Sequence, residues 1–236
     1  MKWLPILQET FTTSISQILD SRHKISSVLD KDGICKLLEP FGLQLAPRQI
    51  AQIVTYLELL LRWNNKINLT AIRTPEECVT RHFGESLYLS RKVELSGSLL
   101  DVGSGAGFPG LALRIVFPEL AATLLEPVAK KRAFLKEVAR ACEFSSVEVR
   151  SERMEDFVRQ ENNSRFDTIT ARAVGRFDRL LPQALRVLSP EGRVLLWVSR
   201  AQAKSLDGFR EAIRWREPIV LPLGREREIW VGNKKG

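Results

Sequence analysis

Three alternate glycines, Gly103, Gly105 and Gly107, follow directly on the apolar run 99–102 and open into Phe108-Pro109-Gly110. A buried strand that passes through such a turn into a helix is where an α/β sheet takes up a nucleotide-like ligand. Gly105-x-Gly107-x-x-Gly110 also satisfies the dinucleotide spacing, which many turns share. No Lys-Ser or Lys-Thr follows Gly110, so the turn is no P-loop. Ser104 lacks the glycine two residues earlier that a nucleophile elbow requires.

The charges beside the turn narrow the ligand. Asp101 precedes Gly103 by two residues and Glu126 ends the next apolar run. The two carboxylates are expected to face one cleft, with Glu126 accepting hydrogen bonds from two ribose hydroxyls. Asp101 would repel a pyrophosphate, whereas an ammonium or sulfonium would be attracted by several kcal/mol at an effective dielectric of about 20. S-adenosylmethionine carries both cations, and its carboxylate is expected on backbone N–H groups of the turn and at the helix start. Plainer roles exist: a tight turn without ligand, Asp101 as a cap for backbone amides, Glu126 as a solvated strand end, Phe108 as a core ring rather than a ligand contact. Glu155 falls where side chains meet an adenine edge in such sheets, or is a surface acid.

Other chemistries have few participants. His23 and His82 are the only histidines, which leaves little for a zinc hydrolase or a histidine-based nucleophile, and no metal site is expected. Cys35, Cys78 and Cys142 are odd in number and widely spaced, without C-x-x-C, as in reduced cytoplasmic proteins. The apolar start 3–7 is too short for a signal peptide, and no run approaches the ~20 residues of a membrane span. The chain of 236 residues carries a net charge of +8. Nearly all of that excess lies after residue 90, which suits a phosphate backbone as partner.

These residues need a scaffold. Residues 1–28 carry no motif and stand as an unassigned N-terminal extension. Residues 29–96 read as helices: one from Asp30 to the break at Pro40-Phe41-Gly42, a longer one from Ala46 to about Asn64 with Ile50, Ile53, Val54, Leu57, Leu60 and Leu61 on one stripe, and a third after Thr74-Pro75. From 97 to 236, short apolar runs alternate with amphipathic stretches, the pattern of an α/β domain with a largely parallel sheet. Strands are expected at 99–102, 122–125, 147–149, 166–171, 194–198, 219–223 and 229–231, with helices at 109–117, 129–143, 177–188 and 201–215. Met154-Glu155-Asp156-Phe157 forms a short helix at most. The last two runs are separated by too few residues for a crossover and should form an antiparallel hairpin, giving seven strands.

Together with Trp63-Asn64-Asn65-Lys66-Ile67-Asn68-Leu69-Thr70 and Arg81-His82-Phe83-Gly84-Glu85-Ser86, these features resemble the glucose-inhibited division protein B family, also called small-subunit ribosomal RNA methyltransferase G. The likeness extends through Leu124-Leu125-Glu126-x-x-x-Lys130-Lys131-Arg132, Ser151-Glu152-Arg153-Met154-Glu155 and Phe166-Asp167-Thr168-Ile169-Thr170-Ala171-Arg172-Ala173 and covers roughly residues 35–232. The resemblance implies a Rossmann-like methyltransferase domain with a helical N-terminal cap. It also implies methyl transfer from S-adenosylmethionine to N7 of one guanine in the decoding-region loop of bacterial 16S rRNA, naked or in the small ribosomal subunit. Carried over by position, the donor site includes Gly103, Phe108, Glu126, Met154, Glu155 and Arg172, with Arg172 reaching cofactor and target alike. Two departures stand out. Glu85 replaces the family's common Asp, and the Lys-Gly that usually follows the fifth strand reads Trp197-Val198-Ser199-Arg200-Ala201 here, with Arg200 the nearest substitute.

Guanine N7 has a lone pair and no proton, so the implied reaction needs position rather than a general base, and holding the reactants in line supplies ~7–11 kcal/mol. Glu85 is then expected to orient the cap, hydrogen-bonded by His82. Trp63 is a stacking candidate for an extruded base. Lys130, Lys131, Arg132, Lys136 and Arg140, or Arg172, Arg176 and Arg179, are candidates for RNA phosphates. A monomer with neither DNA nor membrane among its partners is expected. The competing readings are a nicotinamide (NAD)-dependent oxidoreductase using Gly105, Gly107 and Gly110, and a catalytically inactive RNA-binding module on the same fold.

Overall fold

The computed structural model describes residues 29–160, 165–173, 175–224 and 226–235. The N-terminal extension 1–28 lies outside them. Helix α1 (Lys31–Leu38) starts where the Asp30 carboxylate accepts from Gly33 N–H at 2.7 Å. Helix α2 (Pro47–Asn64) opens with Pro47, and the Gln49 side chain reaches back to the Ala46 N–H at 2.8 Å. Its buried face carries Ile50, Ile53, Tyr56, Leu57 and Leu60. Asn64 ends it and folds the following loop: its Oδ1 accepts from Leu69 and Thr70 N–H, and its Nδ2 donates to Thr70 and Ile72 carbonyls. Helix α3, residues 75–91, is composite. It begins at Thr74-capped Pro75, winds as a π-helix over Cys78–Gly84 and tightens at Tyr88–Arg91. Such widened turns occur frequently at functional sites.

The remaining elements are β1 (Ser98–Val102), α4 (Gly110–Leu113), β2 (Ala121–Leu125), α5 (Ala129–Ala141), β3 (Val147–Arg150), α6 (Met154–Gln160), β4 (Phe166–Arg172), α7 (Phe177–Val187), β5 (Leu188–Ser199), α8 (Arg200–Ala203), β6 (Ile213–Trp215), β7 (Ile219–Val220) and β8 (Arg227–Lys234). Among the described residues they form an eight-stranded sheet in the order β3-β2-β1-β4-β5-β8-β6, with β7 also on β8. Strands β3 to β5 in this order are parallel, and β8 runs antiparallel to β5, β6 and β7. The chain reverses its winding between β1 and β4, and in open α/β sheets ligands bind outside the carboxyl ends of strands at such a switch point.

The mostly parallel sheet and the closing β7–β8 hairpin are as expected from sequence. One strand was not expected: β6 occupies 213–215, inside the stretch read as a helix from 201 to 215, whose helical part ends within Lys204–Phe209. Both sheet faces are covered. Leu195 and Trp197 join one apolar cluster with the cap helices, α4 and α5, while Val194, Leu196 and Val198 join a second with α6 and α7. The cap and the sheet therefore share a core. No helix among the described residues is long and apolar enough to cross a membrane, and no group of three His, Cys, Asp or Glu among them is placed to hold a metal.

Candidate active site

The glycine turn is fixed from both sides. Gly103, Gly105 and Gly107 all have positive φ. At Gly107 a side chain is excluded outright, because a Cβ would lie 2.0 Å from Tyr56 Oη. That hydroxyl donates to the Ala106 carbonyl at 2.6 Å, tying α2 to the turn. Phe108 is sandwiched between Tyr56, with ring centroids 5.1 Å apart, and His82, at 4.6 Å, both nearly parallel. Its ring is 7% exposed and fills the seam between cap and turn, the plainer of the two roles open to it. Gly103 is different: around its would-be Cβ there is nothing within 4 Å.

The open space at Gly103 belongs to a cleft of about 290 Å³ at the carboxyl ends of β1, β2 and β3. Leu125, Pro127, Met154 and Leu180 give it apolar walls, while Glu155, Arg176 and Arg179 add charge. Met154 and Glu155 thus stand together at the cleft, at the start of α6.

The two carboxylates do not share this cleft as expected. Asp101 is 1% exposed and lies under the turn. Its Oδ1 accepts from the Thr170 hydroxyl at 2.7 Å, across the β1–β4 register that places the two residues side by side. A Cβ on Gly110 would be 2.4 Å from the Asp101 Cβ, so the start of α4 seals it in. Burial raises its pKa to about 6, against hydrogen bonds from Thr170 and Ser104 that lower it. Glu126 is 4% exposed and caps backbone: its Oε2 accepts from Gly105 N–H at 2.9 Å and its Oε1 from Val128 N–H at 2.8 Å. The turn is also less open to an anion than expected, since the N–H groups of Gly103, Ser104, Gly105 and Gly107 already donate within the protein.

A second cluster forms where the cap meets the ends of β4 and β8. Glu85, on α3, is 1% exposed. Its Oε2 accepts from Arg172 at 2.9 Å and its Oε1 from Arg227 Nε at 2.9 Å. Arg172 also donates to the Arg81 carbonyl at 2.8 Å, and the Trp197 indole N–H donates to the Glu85 carbonyl at 2.9 Å. Glu85 thus joins cap to sheet, but through arginines and not through His82. His82 Nε2 lies 2.9 Å from the Thr70 hydroxyl. Burial, reinforced by Arg172 and Arg81, lowers the His82 pKa to about 3, so its imidazole is neutral. Four polar atoms here are buried with no hydrogen-bond partner among the described residues: Arg81 Nε, His82 Nδ1, Ser86 Oγ and Arg172 Nη1. Buried polar atoms are normally satisfied, so a cluster of orphans marks a place for a missing partner.

Other candidates fall elsewhere. Trp63 is half-buried, edge-on to Phe134 with its N–H on Glu137 at 2.8 Å, and lines a separate concavity with Arg62, Lys66 and Lys130. Arg200 is exposed and pairs with Glu228 at 3.2 Å. Arg227, opposite Ser199 in the β5–β8 register, brings a second cation to this end of the sheet. Arg132 is turned back on the Glu126 and Pro127 carbonyls. Sequence reasoning passed over Tyr56, Thr170 and Arg227. A tyrosine on an apolar stripe and a threonine inside a buried strand run were usable signals, whereas the pairing of Arg227 with Glu85 spans 142 positions and leaves none.

The family model described as rRNA small subunit methyltransferase G matches residues 49–222. The Ribosomal RNA small subunit methyltransferase G of Chloroflexus aggregans is 36% identical over 203 residues, covering 82% of this chain and 85% of that protein. The protein of the same name from Lactococcus lactis subsp. cremoris is 35% identical over 215 residues, covering 86% and 90%. The solved structure of ribosomal protein L11 methylase from Lactobacillus delbrueckii subsp. bulgaricus is similar in fold, with a TM-score of 0.53 at 14% identity over 65% of this chain and 80% of that one.

Proposed function

The chain belongs to the rRNA small subunit methyltransferase G family, and from that premise we propose that it transfers a methyl group from S-adenosylmethionine to N7 of a guanine in the decoding-region loop of bacterial 16S rRNA. One structural observation carries the site: the cleft at Gly103 and the four orphaned polar atoms around Arg172 lie at the same edge of the sheet, both within the span matched by the family.

The residues present suit the cofactor. Gly103 leaves an uncovered cradle, Leu125, Pro127 and Met154 offer apolar surface for a purine, and Glu155 can accept from its exocyclic amine. Glu126 retains lone pairs beyond its two backbone bonds and stands at the end of β2, where a ribose would take them. When bound, S-adenosylmethionine supplies an electrophilic methyl on a cationic sulfur. The protein's own part is positional. Arg172 is held by Glu85 and the Arg81 carbonyl with Nη1 buried and unpartnered, and this is the donor assigned to the guanine or to the cofactor's carboxylate. His82, neutral near pH 7, stiffens the Phe108 stack and serves neither as acid nor as base. N7 has no proton to lose, so this neutrality fits the reaction. Lys130, Arg176 and Arg179 are exposed or line the cleft and face the phosphates of the loop.

The small-subunit rRNA, naked or assembled, is the proposed partner, met in the cytoplasm by a monomer with no role for DNA or membrane. The positive net charge and the three unpaired cysteines support this reading. Titration with S-adenosylhomocysteine and with NADH tests the cofactor: tighter binding of S-adenosylhomocysteine is expected, and preference for NADH would contradict it.

A further inference from the structure

A second concavity lies away from the candidate site. A groove of about 950 Å³ lies at the opposite edge of the sheet, lined by Arg165 before β4, the start of β5, the edge strand β6 and the end of β8. Arg165 and Arg172 bracket β4, so at ~3.3 Å per residue the two edges are roughly 20 Å apart. The groove's charge is one-sided: Arg165, Arg214, Arg216, Lys234 and Lys235 line it, against Glu191 alone.

Its floor is built rather than incidental. Gly232 lets Trp215 lie flat on β8, since a Cβ there would come within 2.6 Å of the indole ring. Trp230 meets that ring edge-on at 5.7 Å. Arg214 and Arg216 flank Trp215 on β6, and neither guanidinium has an acidic partner among the described residues. Lys235 Nζ is held on the Arg210 carbonyl at 2.6 Å and Lys234 Nζ on the Leu185 carbonyl at 3.3 Å, which fixes both ammoniums at the rim. A concave surface of one sign focuses a field that attracts a polyanion, and the guanidinium fork matches phosphate oxygens.

We propose that this groove is a second docking surface for the phosphate backbone of small-subunit rRNA, engaging a segment remote from the methylated base. This rests on the function proposed above, which supplies a polyanion long enough to reach both edges. Phosphates held here would fix the enzyme's register on the RNA without reading its sequence.

The Arg214→Gln/Arg216→Gln protein tests it, with Arg214→Lys/Arg216→Lys as the charge-preserving control. Each neutralised phosphate contact steepens the log–log salt slope by ~0.7–0.9, depending on whether the RNA there is single-stranded or duplex. Between 50 and 200 mM salt, the loss of affinity for naked 16S rRNA should therefore be about 10-fold smaller in the Gln protein than in the unsubstituted one. The Lys protein should keep the original slope. KM for methylation should rise with kcat unchanged, and affinity for S-adenosylhomocysteine should not move. Unaltered slope and KM in the Gln protein would overturn the proposal. A higher KM on the assembled subunit with unchanged affinity for naked rRNA would also overturn it, assigning the groove to an acidic protein surface. Failure of the unsubstituted protein to methylate any rRNA would count against the proposed function instead, and the salt slope would still decide the groove.

Discussion

Replacing Gly107 with alanine probes the contact on which the shape of the glycine turn depends. The backbone there has φ +85, a region that costs a non-glycine residue ~1–2 kcal/mol. The new methyl would also meet Tyr56 Oη at 2.0 Å and Leu111 Cβ and Leu135 Cδ2 at 3.1 Å each. Overpacking of this kind costs ~1–3 kcal/mol. Tyr56 cannot easily retreat, because it is fully buried with its ring on Phe108 and its hydroxyl on the Ala106 carbonyl. Gly107→Ala should therefore lose about 2–5 kcal/mol in urea unfolding by linear extrapolation. Tyr56→Phe alone should lose ~1–2 kcal/mol, from the unsatisfied carbonyl. The double substitution removes the closest clash and leaves the backbone strain, so it should be less damaging than the sum by ~1–2 kcal/mol. Additive losses, or a Gly107→Ala loss below about 1 kcal/mol, would refute the claim that Tyr56 and the turn are one packed unit.

Glu85→Gln should cost ~3–5 kcal/mol, because two guanidiniums lose a buried carboxylate. Glu85→Asp should cost less, and an unchanged urea midpoint for the Gln variant would contradict the bridging role. His82 has its folded pKa depressed to about 3 from 6.5, so the unfolded chain binds the extra proton between those values and His82 destabilises the protein progressively as pH falls through that window. The stability advantage of wild type over His82→Gln should then shrink by up to ~1.4 kcal/mol per unit on acidification, and parallel stability curves would refute it. Asp101 behaves oppositely. Its folded pKa is raised to about 6 from 3.8, so its favourable contribution is complete below 3.8 and is lost as pH rises to 6. Stability of Asp101→Asn relative to wild type should increase between pH 4 and 6, and a flat difference would show that the carboxylate is not desolvated as the structure has it.

The elements were legible where local chemistry decides them. Pro47 and Asn64 delimit α2, and the alternation of short apolar runs with amphipathic stretches gave the parallel strands. Strand β6 was not legible: its three residues sit in a stretch with helical spacing, and only the exposed edge of β8 draws them into the sheet. The residue types of the site were readable, but their directions were not. Asp101 and Glu126 read from sequence as facing one cleft, yet Thr170 on the adjacent strand captures Asp101, and two backbone amides occupy part of Glu126, leaving only its remaining lone pairs for a ligand. Glu85 and Arg172 were named, yet their meeting depends on the π-helical turn of α3 bringing the cap down onto β4 and β8. No spacing within the sequence encodes that approach.

Methyl transfer to guanine N7 is read most directly by nucleoside mass spectrometry of 16S rRNA from cells lacking the gene and from cells regaining it. N7-methylguanosine should fall in the first and return in the second, and a gene carrying Arg172→Ala should fail to restore it. Unchanged N7-methylguanosine on loss of the gene would contradict the account.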